Sequence, residues 1–312
     1  SFDNGSNWQP LQLNLPHTAV RDIAVQANQS ALAIATHGRG FWVLDNIQPL
    51  RELSGKALDA PAFLFTPQAA WFAGGQYDPH AAEYRSGENP PDGASVFYEL
   101  ESAPKTPVTL TFTDTGGKTL ATFTSTAKHS GLTAEAGMNR FVWDMHYNPA
   151  PGGMPGPRII PGTYRVTLAM GGTRQTRTFE VKKDPAIAAD PGDLQARYAL
   201  LQKIVDELNM IDETVDRIES REKKLKAILA KNPKDEQTRK ALATLETVKG
   251  KLVAPQADSY LAILQHPTEL EGKLGFLYFV VNGSFARPTR TDYEMWETLR
   301  KQTDAQIDKL NQ

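Results

Sequence analysis

The sequence predicts a multidomain chain in three parts: an all-β remnant of a β-propeller blade, an antiparallel β-sandwich of immunoglobulin or fibronectin type III character, and an all-α helical bundle. Three observations carry this reading. Short apolar segments separated by glycine turns crowd the first fifty residues. Six strand-like runs with hairpin signals at Asp114-Thr115-Gly116-Gly117 and Gly171-Gly172 follow. From residue 194 onward, apolar residues recur at gaps of three and four. The predicted boundaries are 1–53 for the blade, 54–93 for a Pro/Gly/aromatic linker, 94–184 for the sandwich and 185–312 for the bundle.

The blade is built from short strands. Gln9–Leu15 alternates Leu11, Leu13 and Leu15 with polar neighbours and predicts a half-buried strand. Val20–Val25, Ala31–Thr36 and Gly40–Leu44 predict the first three strands of the next blade, the last two joined by His37-Gly38-Arg39-Gly40. Phe2-Asp3-Asn4 with Gln9-Pro10-Leu11 is echoed by Leu44-Asp45-Asn46 with Gln48-Pro49-Leu50, a faint internal repeat.

Ser1-Phe2-Asp3-Asn4-Gly5-Ser6-Asn7-Trp8 has the pattern S-x-D-x-G-x-x-W and resembles the Asp-box turn of β-propeller proteins. Each position has a structural role. Asp3 accepts backbone N–H bonds, as in an Asx-turn. Gly5 supplies a positive φ, Trp8 wedges under the turn, and Ser1 closes the loop. With the phrase Thr36-His37-Gly38-Arg39-Gly40-Phe41-Trp42 and the segment Gly87–Ala94, the chain resembles large bacterial exported proteins of the Asp-box (BNR-repeat), sortilin-like group, often labelled glycosyl hydrolases. The resemblance implies a secreted or periplasmic location. A propeller needs at least four blades and this chain holds little more than one. The resemblance therefore implies that the missing N-terminal propeller portion is a partner, as a separate or cleaved chain. The two functions it implies are an accessory or docking role in glycan or protein binding, and a glycoside hydrolase whose catalytic carboxylates lie on the missing blades.

Phe63, Phe65, Trp71, Phe72, Tyr77 and Tyr84 in the linker are expected to pin it onto its neighbours. In the sandwich, Gly137–Asp144 and Pro161–Val166 resemble a bacterial immunoglobulin-like module, with Trp143 and Tyr164 in its core. Asn148–Pro161 is a long Pro/Gly loop whose composition suits an extended segment. The bundle starts at Asp190-Pro191, an N-cap with Pro at the first helical position. Its first stripe runs through residues 194, 198, 201, 205, 208, 211, 215 and 218, and Asn232-Pro233 ends that helix. Further helices are expected over Asp235–Val253, Ala257–Gln265, Glu269–Val281 and Thr291–Leu310, the last with Tyr293, Trp296, Leu299, Ile307 and Leu310 inward. The charge run Glu219–Lys226 reads as a solvated surface.

Composition narrows the function classes. The formal net charge of −2 gives no general attraction to nucleic acid or to an anionic membrane. No apolar run reaches the length of a membrane span. The absence of cysteine excludes disulfides, thiol catalysis and zinc–thiolate sites. The six histidines have no metal-binding spacing, and Asp144-Met145-His146 is a weak pair, so no metal and no cofactor is expected. The turn between the second and third strands is the best ligand candidate, for a glycan or a peptide. Its glycines allow close backbone approach, Arg39 offers a fork of donors, His37 adds an imidazole, and Trp42 flanks them. Catalytic residues are unassigned.

Overall fold

The computed structural model describes residues 1–27, 30–53, 57, 59–72, 90–128, 130–147, 156–254 and 268–310. The chain divides into two compact units, Ser1–Met145 with Ile160–Ile187, and His146–Ile159 with Ala188–Gln312.

The first unit opens with an antiparallel sheet of β1 (Val20–Gln26), β2 (Ala31–Thr36) and β3 (Phe41–Leu44), in that order. Its register sets Ile23 opposite Ile34 and Ile34 opposite Trp42, and likewise Val25, Leu32 and Leu44 in a row. Opposed residues share a face, so these six large side chains form one side. Ala24, Ala33 and Val43 form a row on the other side, beside Ala35 and Phe41. Both faces are therefore largely apolar, one bulky and one mostly alanine, with Asp22 beside Ala35 at the edge of the second. Neither is covered: Ile23 is 59 % exposed, Phe41 is 84 % exposed, and no residue of β2 is buried. Near-continuous apolar strands belong in sheets covered on both faces. Each large side chain left in water forgoes about 1.5–3 kcal/mol.

The expected strand at Gln9–Leu15 is absent. Leu13 takes φ 46°, Leu15 N–H donates to the Gln12 carbonyl at 2.8 Å, and Leu11 and Leu13 are exposed. A strand needs a neighbour for its backbone groups. β1, β2 and β3 pair with one another, and residues 9–15 settle into a turn. After β3 the chain enters a short helix, α1 (Gln48–Glu52), where Asn46 Oδ1 accepts the Gln48 N–H at 2.9 Å.

Two further sheets complete the unit. Strands β4 (Ala62–Leu64) and β5 (Ala70–Phe72) fall inside the segment predicted as a linker. They are followed by β6 (Ala94–Leu100), β7 (Val108–Asp114), β8 (Thr119–Thr124), β9 (Gly137–Trp143), β10 (Gly162–Met170) and β11 (Thr173–Lys183). One sheet has the order β5-β11-β10-β7-β8 and the other β4-β6-β9, with every pairing antiparallel except β5 with β11. β6 and β7 alternate buried and part-exposed residues, the pattern of strands with one face on a core. That core is shared between the sheets. Phe112 of β7 stacks on Trp143 of β9 at 4.2 Å, and Phe123 of β8 lies 4.7 Å from Phe141 of β9. Gln175 of β11 ties the edges together, donating to the Ala62 carbonyl at 2.7 Å and accepting from the Leu64 N–H at 3.0 Å. Phe65 and Phe72 are buried. Tyr77 and Tyr84 lie outside the described residues.

The second unit contains α2 (Pro191–Lys231), α3 (Glu236–Leu252), α4 (Leu270–Asn282) and α5 (Arg290–Ile307), which runs into a 3-10 turn at Asp308–Leu310. Asp235 caps α3 through the Thr238 N–H at 3.0 Å, and Thr289 with Asp292 forms a capping box on α5. The apolar stripe of α2, including Leu201, Val205, Leu208 and Ile211, packs into one core with Leu245, Leu274, Leu277 and Leu299. Tyr293 points outward, 37 % exposed, against the inward position predicted for it. It sits in the first turn of α5, before the helix reaches the core at Trp296 and Leu299. The expected helix at 257–265 lies outside the described residues.

Glu207 of α2 is buried, and its Oε1 has no hydrogen-bond partner among the described residues. Desolvation, and then the Asp304 carboxylate, push its carboxyl up from 4.5 to about 7, while Arg300 and the Thr303 hydroxyl pull the other way. The folded state therefore holds this proton more tightly than the unfolded chain. Stability contributed by the protonated acid is complete below pH 4.5 and is lost as pH rises through about 7. Burial also raises the carboxyls of Asp212 and Glu271, which adds to the same trend. Glu207→Gln is expected to stabilise the helical unit by roughly 1–3 kcal/mol at pH 8 and to change it little at pH 4. Urea unfolding at the two pH values measures this, and an unchanged pH slope in the variant would refute it.

Candidate functional site

Two turns carry the motifs of the first fifty residues. The first, Ser1–Trp8, is organised by Asp3. Asn7 donates its backbone N–H to Asp3 Oδ1 at 2.9 Å and its side-chain amide to Asp3 Oδ2 at 2.6 Å. The Ser1 hydroxyl donates to Asp3 Oδ1 at 2.9 Å and accepts the Gly5 N–H at 2.8 Å. Asn4 and Gly5 both take positive φ, 58° and 92°. The Asn7 backbone bond, then its side chain, then Ser1 hold the Asp3 carboxyl down at about 2. The acceptor role of Asp3 was legible in the sequence. Its partner, four residues ahead, was not, because Asn7 falls at a variable position of the motif. Trp8 does not wedge under the turn. Its indole lies over Gly5, where a Cβ would meet it at 3.7 Å, and the ring is 79 % exposed. Every bond of this turn is spent on holding its own shape.

The second turn joins β2 to β3. Thr36 Oγ1 and the Thr36 N–H both donate to the Gly40 carbonyl, at 2.7 and 3.1 Å, closing the loop. Gly38 and Gly40 take φ 78° and 71°, which the turn requires, and a Cβ on either would meet nothing within 4 Å. The Trp42 indole N–H donates to the Arg39 carbonyl at 2.9 Å, so its polar atom is committed to the turn and its ring belongs to the bulky face of the sheet. The side chains of Arg39 and His37 are exposed and have no hydrogen-bond or ion-pair partner among the described residues.

The segment entering β1 shares this end of the sheet. The His37 N–H donates to the Ala19 carbonyl at 2.9 Å, and the Thr18 hydroxyl donates to the His37 carbonyl at 3.0 Å. That brings exposed His17 to the same sheet end as His37 and Arg39. Sequence reasoning missed His17, since only pairing in three dimensions links residues 17–19 to 37. A guanidinium and two imidazoles at one sheet end can donate to a carboxylate or to sugar hydroxyls. Asp144-Met145-His146 follows directly on β9. Met145 is buried with φ 61°, and the His146 backbone pairs with Arg158. Among the described residues no group of three or more His, Asp or Glu is placed to hold a metal ion, and no helix is long and apolar enough to cross a membrane.

No family model matches this chain, and no curated protein matches it. Among solved structures, pT26-6p aligns with 70 % of this chain at 14 % identity and a TM-score of 0.15. The chain spans 45 % of that chain's length. So low a score carries no argument about fold or function.

Proposed function

We propose that this chain is a portion of an exported Asp-box β-propeller protein, with the double-layered β region and the helical unit as accessory or docking parts for glycan or protein binding. The observation that carries the reading is the sheet β1–β3. It is apolar on both faces, bulky on one and alanine-rich on the other, and its neighbours along the chain leave both faces in water. Sheets stacked radially meet that demand, because the bulky face of one blade packs on the small-residue face of the next. The self-contained Asp3 turn supports the same reading as a structural element of a blade. In this account His37 and Arg39 stand at the rim of the assembled propeller and contact the ligand.

The propeller portion supplied as a second polypeptide is the natural partner. Mixed with it, the chain is expected to sediment as a single complex in analytical ultracentrifugation. Ile23→Asp, which charges the bulky face, and Phe41→Asp, which charges the small-residue face, are each expected to abolish that complex, because an unpaired carboxylate would be buried. A complex that forms equally well with both variants would sink the reading.

A further inference from the structure

The charge run of α2 divides into two sides. Its acidic members turn toward α3: Glu219 pairs with Lys249 at 2.7 Å, Glu222 with Lys226 at 3.7 Å, and Lys226 with Glu246 at 3.4 Å. Two arginines on this stretch of α2 do not join that network. Arg217 and Arg221, one turn apart, border a cleft of about 280 Å³ lined by these two residues with Ile218, Ser220, Ile307 and Leu310. The cleft lies between the middle of α2 and the end of α5 with its 3-10 turn. Among the described residues no carboxylate lines it. Arg217 spends one donor on Thr214 Oγ1 at 2.9 Å, and Arg221 has no partner among the described residues. Most of the donors on the two guanidinium forks are therefore uncommitted. Ile218 is buried in the helical core, while Ile307 and Leu310 are partly exposed, giving the cleft apolar walls.

We propose that this cleft binds a small organic acid, its carboxylate held between Arg217 and Arg221 and its short apolar stem against Ile307 and Leu310. Two guanidinium groups on a lining with no carboxylate among the described residues select a planar anion. The volume lies near the lower end of the range for small-molecule sites, which suits a ligand of one ring or a short alkyl chain. Ser220 can add a hydrogen bond to the carboxylate. The site belongs entirely to the helical unit and is independent of the propeller reading.

The probe is 4-phenylbutyrate, titrated into the whole chain and followed by NMR at the methyl groups of Ile218, Ile307 and Leu310. Saturable binding with a Kd of about 1 mM is expected, a strength a small anion reaches with two charged contacts. Arg217→Gln with Arg221→Gln together should weaken it by about tenfold or more, and the uncharged 4-phenylbutanamide should bind about tenfold more weakly than the acid. Lys226→Gln, on the opposite side of α2, should leave binding unchanged and controls for the loss of a positive charge. The proposal is overturned by an absence of saturable shifts, by equal binding of the amide, by an equal loss in Lys226→Gln, or by inorganic phosphate binding as tightly as the acid. Unaltered circular dichroism of the arginine double variant confirms that a loss of binding is local.

Discussion

Gly93→Ala is expected to destabilise the β unit by roughly 3–5 kcal/mol, the sum of a strained backbone and an overpacked contact. Gly93 stands just before β6 with φ 149°, and a Cβ there would collide with the Trp143 carbonyl oxygen and crowd Val142 Cγ1. The obstacle is backbone, so no side-chain rotation relieves it. Relief requires β6 to part from β9 at the Ala94–Trp143 pair, and Trp143 anchors the core through its stack on Phe112. Gly117→Ala separates the two causes. Gly117 also has a positive φ, 88°, but a Cβ there meets nothing within 4 Å. Its loss should stay near about 1 kcal/mol. Urea unfolding of the two variants side by side measures the difference, and equal losses would show that the contact with Trp143 is unimportant.

Arg197→Ala is expected to cost the helical unit about 2–4 kcal/mol, because it strips a charged donor from several buried acceptors at once. Arg197 of α2 is 2 % exposed. It donates to the Val281 carbonyl at 3.2 Å and to the Asn282 carbonyl at 2.8 Å, closing the end of α4, and it also reaches Asn282 Oδ1. Its guanidinium lies 5.7 Å from the centre of the Phe285 ring. Burial pulls its pKa down, because leaving water disfavours the charged form. Lysine at this position keeps the charge but cannot span the same acceptors, so Arg197→Lys should recover less than half of the loss. Thermal unfolding monitored at 222 nm tests this. Full rescue by lysine would mean that charge alone is sufficient and the fork is dispensable.

These two positions also show what a linear sequence conceals. Val108–Phe112, Thr119–Thr124, Asn139–Trp143 and Thr176–Val181 are strand-like by composition, and each lies within an observed strand. The helix start at Pro191 and the break at Asn232-Pro233 follow directly from proline geometry. β4 and β5 are three residues long, too short for any periodicity, and only pairing with β6 and β11 makes them strands. Gln9–Leu15 has the reverse history, with good alternation and no neighbour to pair with. Nothing local to Arg197 points to its acceptors, which are about 85 residues away in the chain. At the candidate site, the glycines of the His37–Gly40 turn announced its conformation. The commitment of the Trp42 N–H to Arg39, and the arrival of His17 at the same end, depended on strand pairing that no local motif encodes.

Both faces of β1–β3 are built to be covered. The chain contains no cysteine, so Ile23→Cys and Phe41→Cys each place one thiol on one face, and the rate of maleimide labelling reports its cover. In this chain alone both thiols should react at the rate of an exposed cysteine. In a longer polypeptide that includes the rest of the propeller, both should react about tenfold or more slowly, since labelling would then require local opening. Protection of only one face would contradict a radial stack, and equal reactivity of both thiols in the longer and shorter polypeptides would contradict the account altogether.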